Sequence, residues 1–147
     1  MNHKPFKIGD CLVKKNKQVF GRANQVRASI KIQKVIRKND THYLINGLYA
    51  IDPAAVDIIP EQEANRINRL YKSLEISETG KPDQTGTHYR TIDGKEKLGY
   101  PSKGRAKAAL FHHLMTKPNE DYDCYFCDFC SMYHLGRLLK EDVTFLG

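Results

Sequence analysis

Residues 124–137 read CYFCDFCSMYHLGR, and no other stretch restricts the fold of this chain as tightly. Three of its four cysteines, Cys124, Cys127 and Cys130, fall at every third position, and His134 follows four residues after the last. Such a stretch is either a metal site or an aromatic core strand that contains thiols. Compartment bears on the choice. No apolar run approaches the roughly 20 residues that span a bilayer, and the start, MNHKPFKIGD, has no apolar stretch of the signal-sequence kind. The expectation is a cytoplasmic protein with no membrane association. In a reducing cytosol, clustered cysteines serve as metal or redox groups rather than disulfides. The three are also too close to pair with one another comfortably, and Cys11 is the one distant candidate.

Thiolate sulfur and imidazole nitrogen are the donors of tetrahedral zinc, and a Cys-x-x-Cys turn aims two sulfurs at one ion. Cys127 and Cys130 provide that turn and His134 a third donor. Three residues compete for the fourth place. Cys124 is nearest, but along a strand its side chain points to the opposite face from Cys127. His88 lies on an expected hairpin. His113 falls on the apolar side of an expected helix, with Ala106, Ala109 and Leu110, and is the preferred fourth ligand. Cys-x-x-Cys-x-x-Cys also resembles the start of a ferredoxin run, which makes an iron–sulfur cluster the alternative cofactor. Against a catalytic metal, the chain has neither His-Glu-x-x-His nor the His-x-Glu of zinc deaminases. His112 and His113 diverge by about 100° on a helix, so both cannot aim at one phosphate. The metal is expected to be structural.

The segment YFCDFCSMYHLGR resembles the aromatic-x-Cys-x-x-Cys-x-x-aromatic-His-aliphatic-Gly-basic stretch of small zinc-ribbon-like modules in bacterial and phage proteins. Tyr100, Ser102 and Ala106 match the Tyr-x-Ser-x-x-x-Ala helix start found upstream in such modules. The resemblance covers residues 95–137. It implies a zinc-stapled subdomain, and host-cell cytoplasm if the chain is phage-encoded. Those modules carry a further Cys or His near the position of Lys95, and here the nearest upstream histidine is His88.

Ahead of this lies a strand-rich half. In VRASIKI (26–32), Val26, Ala28, Ile30 and Ile32 alternate with Arg27, Ser29 and Lys31, the period of a half-buried strand. The phase slips at Lys34, which predicts a bulge or bend. HYLI (42–45), Asn46-Gly47 and LYAI (48–51) read as a hairpin. The run Phe6, Ile8, Gly9, Asp10 resembles the Φ-x-Gly-Asp opening of SH3-like barrels. The expected fold is therefore α+β: a small SH3-like β-barrel over 1–59, a connecting helix at 60–76, a Gly/Pro/Ser-rich linker at 77–87, and a ββα zinc-ribbon-like subdomain over 88–147.

Charge points to a partner. Residues 1–38 hold eleven lysines and arginines against Asp10 alone, a surplus larger than the net +7 of the whole chain. Such a concentration attracts nucleic acid, DNA or RNA, or an acidic protein surface. Lys14, Lys15, Lys17, Arg22, Arg27, Lys31 and Arg37 are the expected phosphate contacts, with Lys103, Arg105 and Lys107 as an extension and Phe20 and Tyr43 as aromatics that could stack on bases. Asp121, Asp123 and Asp128 would keep phosphate off the cysteine segment. The expected function is a non-enzymatic, zinc-stabilised nucleic-acid-binding protein. The alternatives are a phage or mobile-element adaptor that binds a host protein complex and a small metal-dependent nuclease or hydrolase.

Overall fold

The structure, a computed structural model, describes residues 5–21, 26–78, 88–90 and 92–137 of the 147-residue chain. The chain is mixed α+β and divides into two compact units, Met1–Ser73 and Leu74–Gly147. Among the described residues no helix is long and apolar enough to cross a membrane.

The first unit holds two three-stranded sheets. β1 (Cys11–Lys14) lies between β2 (Ile30–Lys31) and β6 (Val56–Ile59), antiparallel to both. β4 (Tyr43–Ile45) lies between β3 (Val35–Arg37) and β5 (Tyr49–Ile51). Leu12, Ile30, Ile32, Val35, Ile45, Ile51 and Val56 join Phe6 and Phe20 in one core. Cys11 and Val13 alternate to the other face of β1 and are buried too, because α1 (Glu61–Ser73) packs on that strand through a stripe containing Ala64 and Ile67. Ser29 fixes the helix, its N–H donating to Asn68 Oδ1 at 2.9 Å.

The phase slip at Lys34 is where the chain leaves one sheet for the other. What reads as a single strand over 26–32 is a two-residue β2, preceded by a bridge between Phe20 and Arg27, and no closed barrel forms among the described residues. Asn46 holds the crossing together. Its Oδ1 accepts from the amides of Gln33 (2.6 Å) and Lys34 (3.0 Å), and its Nδ2 donates to the Lys31 carbonyl (2.8 Å). Asn46 and Gly47 both take positive φ, 55° and 73°, as a tight hairpin turn requires. Asn46→Ala removes these bonds and leaves a side chain ill suited to that φ. We expect a loss of about 1–3 kcal/mol, read as a lower urea midpoint for the first unit.

In the second unit, β8 (Tyr122–Cys127) pairs antiparallel with β9 (Met132–Arg137), and β7 (Ile76–Ser77) adds in parallel to β8. The helix expected over 60–76 thus ends at Ser73, and residues 76–77, expected within the helix and at the linker's start, form a strand; residues 79–87 lie outside the described residues. α2 (Lys103–Thr116) starts where its sequence says: the Ser102 hydroxyl accepts from the Arg105 amide at 3.2 Å, an N-cap. Ala106 and Leu110 pack with Cys124 in a small core edged by Leu74, Ile76, Tyr100 and Leu135.

Candidate metal centre

Three local structures build the centre. The β8–β9 turn is the first. Cys127 ends β8 and Cys130 lies in the turn, which Ser131 closes by taking φ 59° and donating its N–H to the Cys127 carbonyl at 2.8 Å. Backbone amides of Cys130 and Phe129 point at the Cys127 sulfur, and that of Met132 points at Cys130. Burial pushes the Cys127 thiol up, but these amides, His88 and the Cys130 thiol outweigh it and hold the thiol below its ordinary value. Burial leaves the Cys130 thiol above its ordinary value, against the pull of the Met132 amide.

β9 supplies the second. His134 pairs across the sheet with Tyr125, and both are buried. Segment 98–100 runs along β9, with Tyr100 and Tyr133 exchanging both backbone bonds at 2.8 and 2.9 Å. This brings the Leu98 carbonyl to His134 Nδ1 at 2.9 Å. At Gly99 a Cβ would stand 2.9 Å from Met132 Sδ, so a larger residue there would displace the Met132 side chain. With Nδ1 donating to Leu98, the Nε2 lone pair faces the cysteines. Burial first, and the charges of His88 and Lys97, lower the His134 pKa and favour the neutral ring a metal needs.

The hairpin of residues 88–97 is the third. It turns at Gly94 (φ 72°), bridges Tyr89 to Glu96, and carries His88. Glu96 Oε2 stands 3.5 Å from His88 Nε2, so Nδ1 faces inward.

One donor atom from each of His88, Cys127, Cys130 and His134 lies within 4.8 Å of every other. His88 Nδ1 is 3.7 Å from Cys127 Sγ, and His134 Nε2 is 3.3 Å from Cys130 Sγ. Zinc bonds of about 2.3 Å to sulfur and about 2.0 Å to nitrogen, at tetrahedral angles, imply sulfur–nitrogen edges of about 3.5 Å. The four donors fit a metal such as zinc; the Leu98 carbonyl fixes the His134 tautomer, and the Glu96 carboxylate stands behind His88 at ion-pair distance.

The fourth corner is where the expectation needs correction. His113 lies elsewhere: its Nε2 meets Glu120 Oε1 at 2.9 Å and its ring packs tilted against Tyr122 at 4.1 Å between centroids. The helical period put it on a covered face, and the turn after α2 supplies a carboxylate that holds it there. Cys124 does not join either. It is fully buried against α2, and desolvation, then the Asp123 charge, push its thiol up to about 12. The Cys124/Cys127/Cys130 run therefore does not converge as an iron–sulfur cluster requires.

Several of the expected phosphate contacts are engaged with carboxylates. Lys17 donates its amide to the Lys14 carbonyl, so Lys14, Lys15 and Lys17 follow one another around the turn after β1. Arg27 is exposed beside the Phe20 bridge. Lys31 is tied to Glu61 and Arg37 to Asp40, each at 3.2 Å, and Lys103 to Glu78 at 2.8 Å. Arg22 lies outside the described residues. Phe20 is buried, and Tyr43 packs edge-on to Phe6 at 5.6 Å, so both serve the core.

Glu96→Gln keeps the hairpin but removes the carboxylate behind His88. We expect metal affinity to fall about 10–100-fold, measured by competition with a chromophoric zinc chelator. Compared with known proteins, the chain matches no family model, no curated sequence and no solved structure.

Proposed function

We propose that this chain is a non-enzymatic, zinc-stabilised nucleic-acid-binding protein, with zinc on His88, Cys127, Cys130 and His134 and the contact surface in the first unit. The observation that carries the zinc reading is the convergence of two cysteine sulfurs with two histidine rings, each ring presenting one nitrogen to a sulfur, with His134 oriented from behind by the Leu98 carbonyl. Four protein donors fill a tetrahedral shell, whereas a hydrolytic zinc keeps one position open, which favours a structural metal over a nuclease or hydrolase. A knuckle turn facing a hairpin across one metal supports the zinc-ribbon-like reading. Two small sheets sharing a core support a relation to SH3-like barrels, with the barrel left open.

The nucleic-acid reading is supported by the charge surplus of residues 1–38 and by lysines that stay out of ion pairs among the described residues, Lys14 and Lys15 among them, whereas Lys17 lies within electrostatic reach of Glu63. Contacts of this kind go to phosphate and weaken steeply with salt. We expect a mobility shift with mixed DNA and RNA at low salt that fades as salt rises. A plot of log affinity against log salt should have a slope near −2 to −4 for three to four phosphate contacts, at about 0.7–0.9 per contact. No shift at any salt contradicts the reading.

A second reading, an adaptor that binds a host protein, is favoured by Tyr89, Ile92, Leu98 and Phe129, four large apolar side chains exposed on the metal-binding hairpins. Its phage or mobile-element setting rests on the resemblance of residues 95–137 alone. Co-purification of one acidic host protein, with no nucleic-acid shift, would move the assignment to it.

A further inference from the structure

We propose that a cleft in the first unit seats one unstacked nucleobase of a single-stranded polynucleotide, with Lys14 on its wall meeting a flanking phosphate. The inference rests on the nucleic-acid-binding reading and narrows it to single strands and to one site. The cleft measures about 400 Å³ and opens where three segments converge: the turn after β1, the β4–β5 hairpin, and the single 3-10 turn at Pro53–Ala55. That volume falls in the lower part of the range for small-molecule sites.

Its lining divides by chemistry. Leu48, Tyr49, Ile51 and Val56 give an apolar wall, and Leu48 is 58% exposed at the lip. Lys14, Asn16, His42 and Asp52 give the polar side. Asp52 Oδ1 accepts from the Ala54 amide at 2.9 Å to cap the short helix, so this carboxylate is held in place with Oδ2 available to accept from an exocyclic amino group. Lys14 Nζ stands 5.5 Å from the Phe20 ring centroid. Lys17 takes φ 64°, a backbone state unfavourable for a lysine, and the turn it closes carries Lys14 and Asn16, both of which line the cleft. A planar group with an amino edge, followed on either side by phosphate, meets each of these features. A paired base in a duplex cannot, because it stays in the stack.

The pocket chemistry also makes a choice among bases. Cytosine offers an exocyclic amine to Asp52, and thymine and uracil offer none.

The test is fluorescence anisotropy at low salt with labelled strands of about ten nucleotides: oligo(dC), oligo(rC), oligo(dT) and a mixed-sequence duplex. The cytidine strands should bind about tenfold more tightly than oligo(dT), the loss expected when a charged acceptor goes without its donor. The tighter of the ribo and deoxy cytidine strands names the strand type, and either order supports the site. Asp52→Asn keeps the cap, since asparagine also accepts there, and should erase the preference. Leu48→Ser, at an exposed position, should weaken every single strand. Equal binding of oligo(dC) and oligo(dT), unchanged binding by both variants, or a duplex that binds as tightly overturns the cleft and leaves the basic surface standing. Failure of every strand and the duplex to bind overturns both.

Discussion

Replacing His88 with alanine is expected to strip the purified chain of its stoichiometric zinc, whereas replacing His113 leaves the metal in place. His88 supplies one of four donors, within 3.7 Å of Cys127 Sγ, and among the described residues no other Cys, His or carboxylate completes the group. Removing an outer partner of a metal ligand already costs about 10–100-fold in affinity, so loss of the ligand itself should exceed the upper end of that range. His113 is held by Glu120 and Tyr122 instead. His113→Ala should lower stability modestly and leave one zinc per chain by atomic emission. The reverse outcome, zinc lost with His113→Ala and kept with His88→Ala, would reinstate the helix face as the fourth ligand's home.

Removing the zinc with a strong chelator should unfold the second unit and spare the first. Structural zinc contributes about 10–16 kcal/mol in small metal-stapled peptides, while whole domains are stable by only about 5–15 kcal/mol. The cluster under α2 has Ala106, Leu110 and Cys124 as its buried members, and with Phe111 and Tyr125, also fully buried, this is still a smaller core than that of the first unit. The first unit keeps its nine-residue core from Phe6 to Val56. An amide correlation spectrum should retain the dispersed resonances of residues 5–21 and 26–73, while those of 92–137 collapse to random-coil positions and return on adding zinc. His134→Ala should act in the same direction. Loss of both sets together contradicts the independence of the two units.

Local pattern reached part of this centre and distance hid the rest. Cys127, Cys130 and His134 were legible because a knuckle turn and the strand that follows fix their relation within eight residues. His88 lies 39 residues before Cys127, and no periodicity spans the intervening helix. Only the hairpin turn at Asp93-Gly94 hinted that His88 stood on a sheet-like element. For His113 the period gave the face correctly but not the neighbour, Glu120, that satisfies it. The same holds in the first unit. The phase slip at Lys34 was visible, but its meaning, a crossing between sheets clamped by Asn46, depends on contacts between residues 12 to 15 apart. The parallel strand at Ile76–Ser77 was hidden because two residues carry no period at all. Charge counting found the basic surplus and could not see that Lys31 and Arg37 spend theirs on Glu61 and Asp40.

X-ray absorption at the zinc edge of the purified protein reaches the central claim most directly. Two sulfur scatterers at about 2.3 Å and two imidazole nitrogens at about 2.0 Å are the result expected of Cys127, Cys130, His88 and His134. Three sulfurs, which would bring Cys124 to the metal, or a folded second unit without any metal, would contradict it.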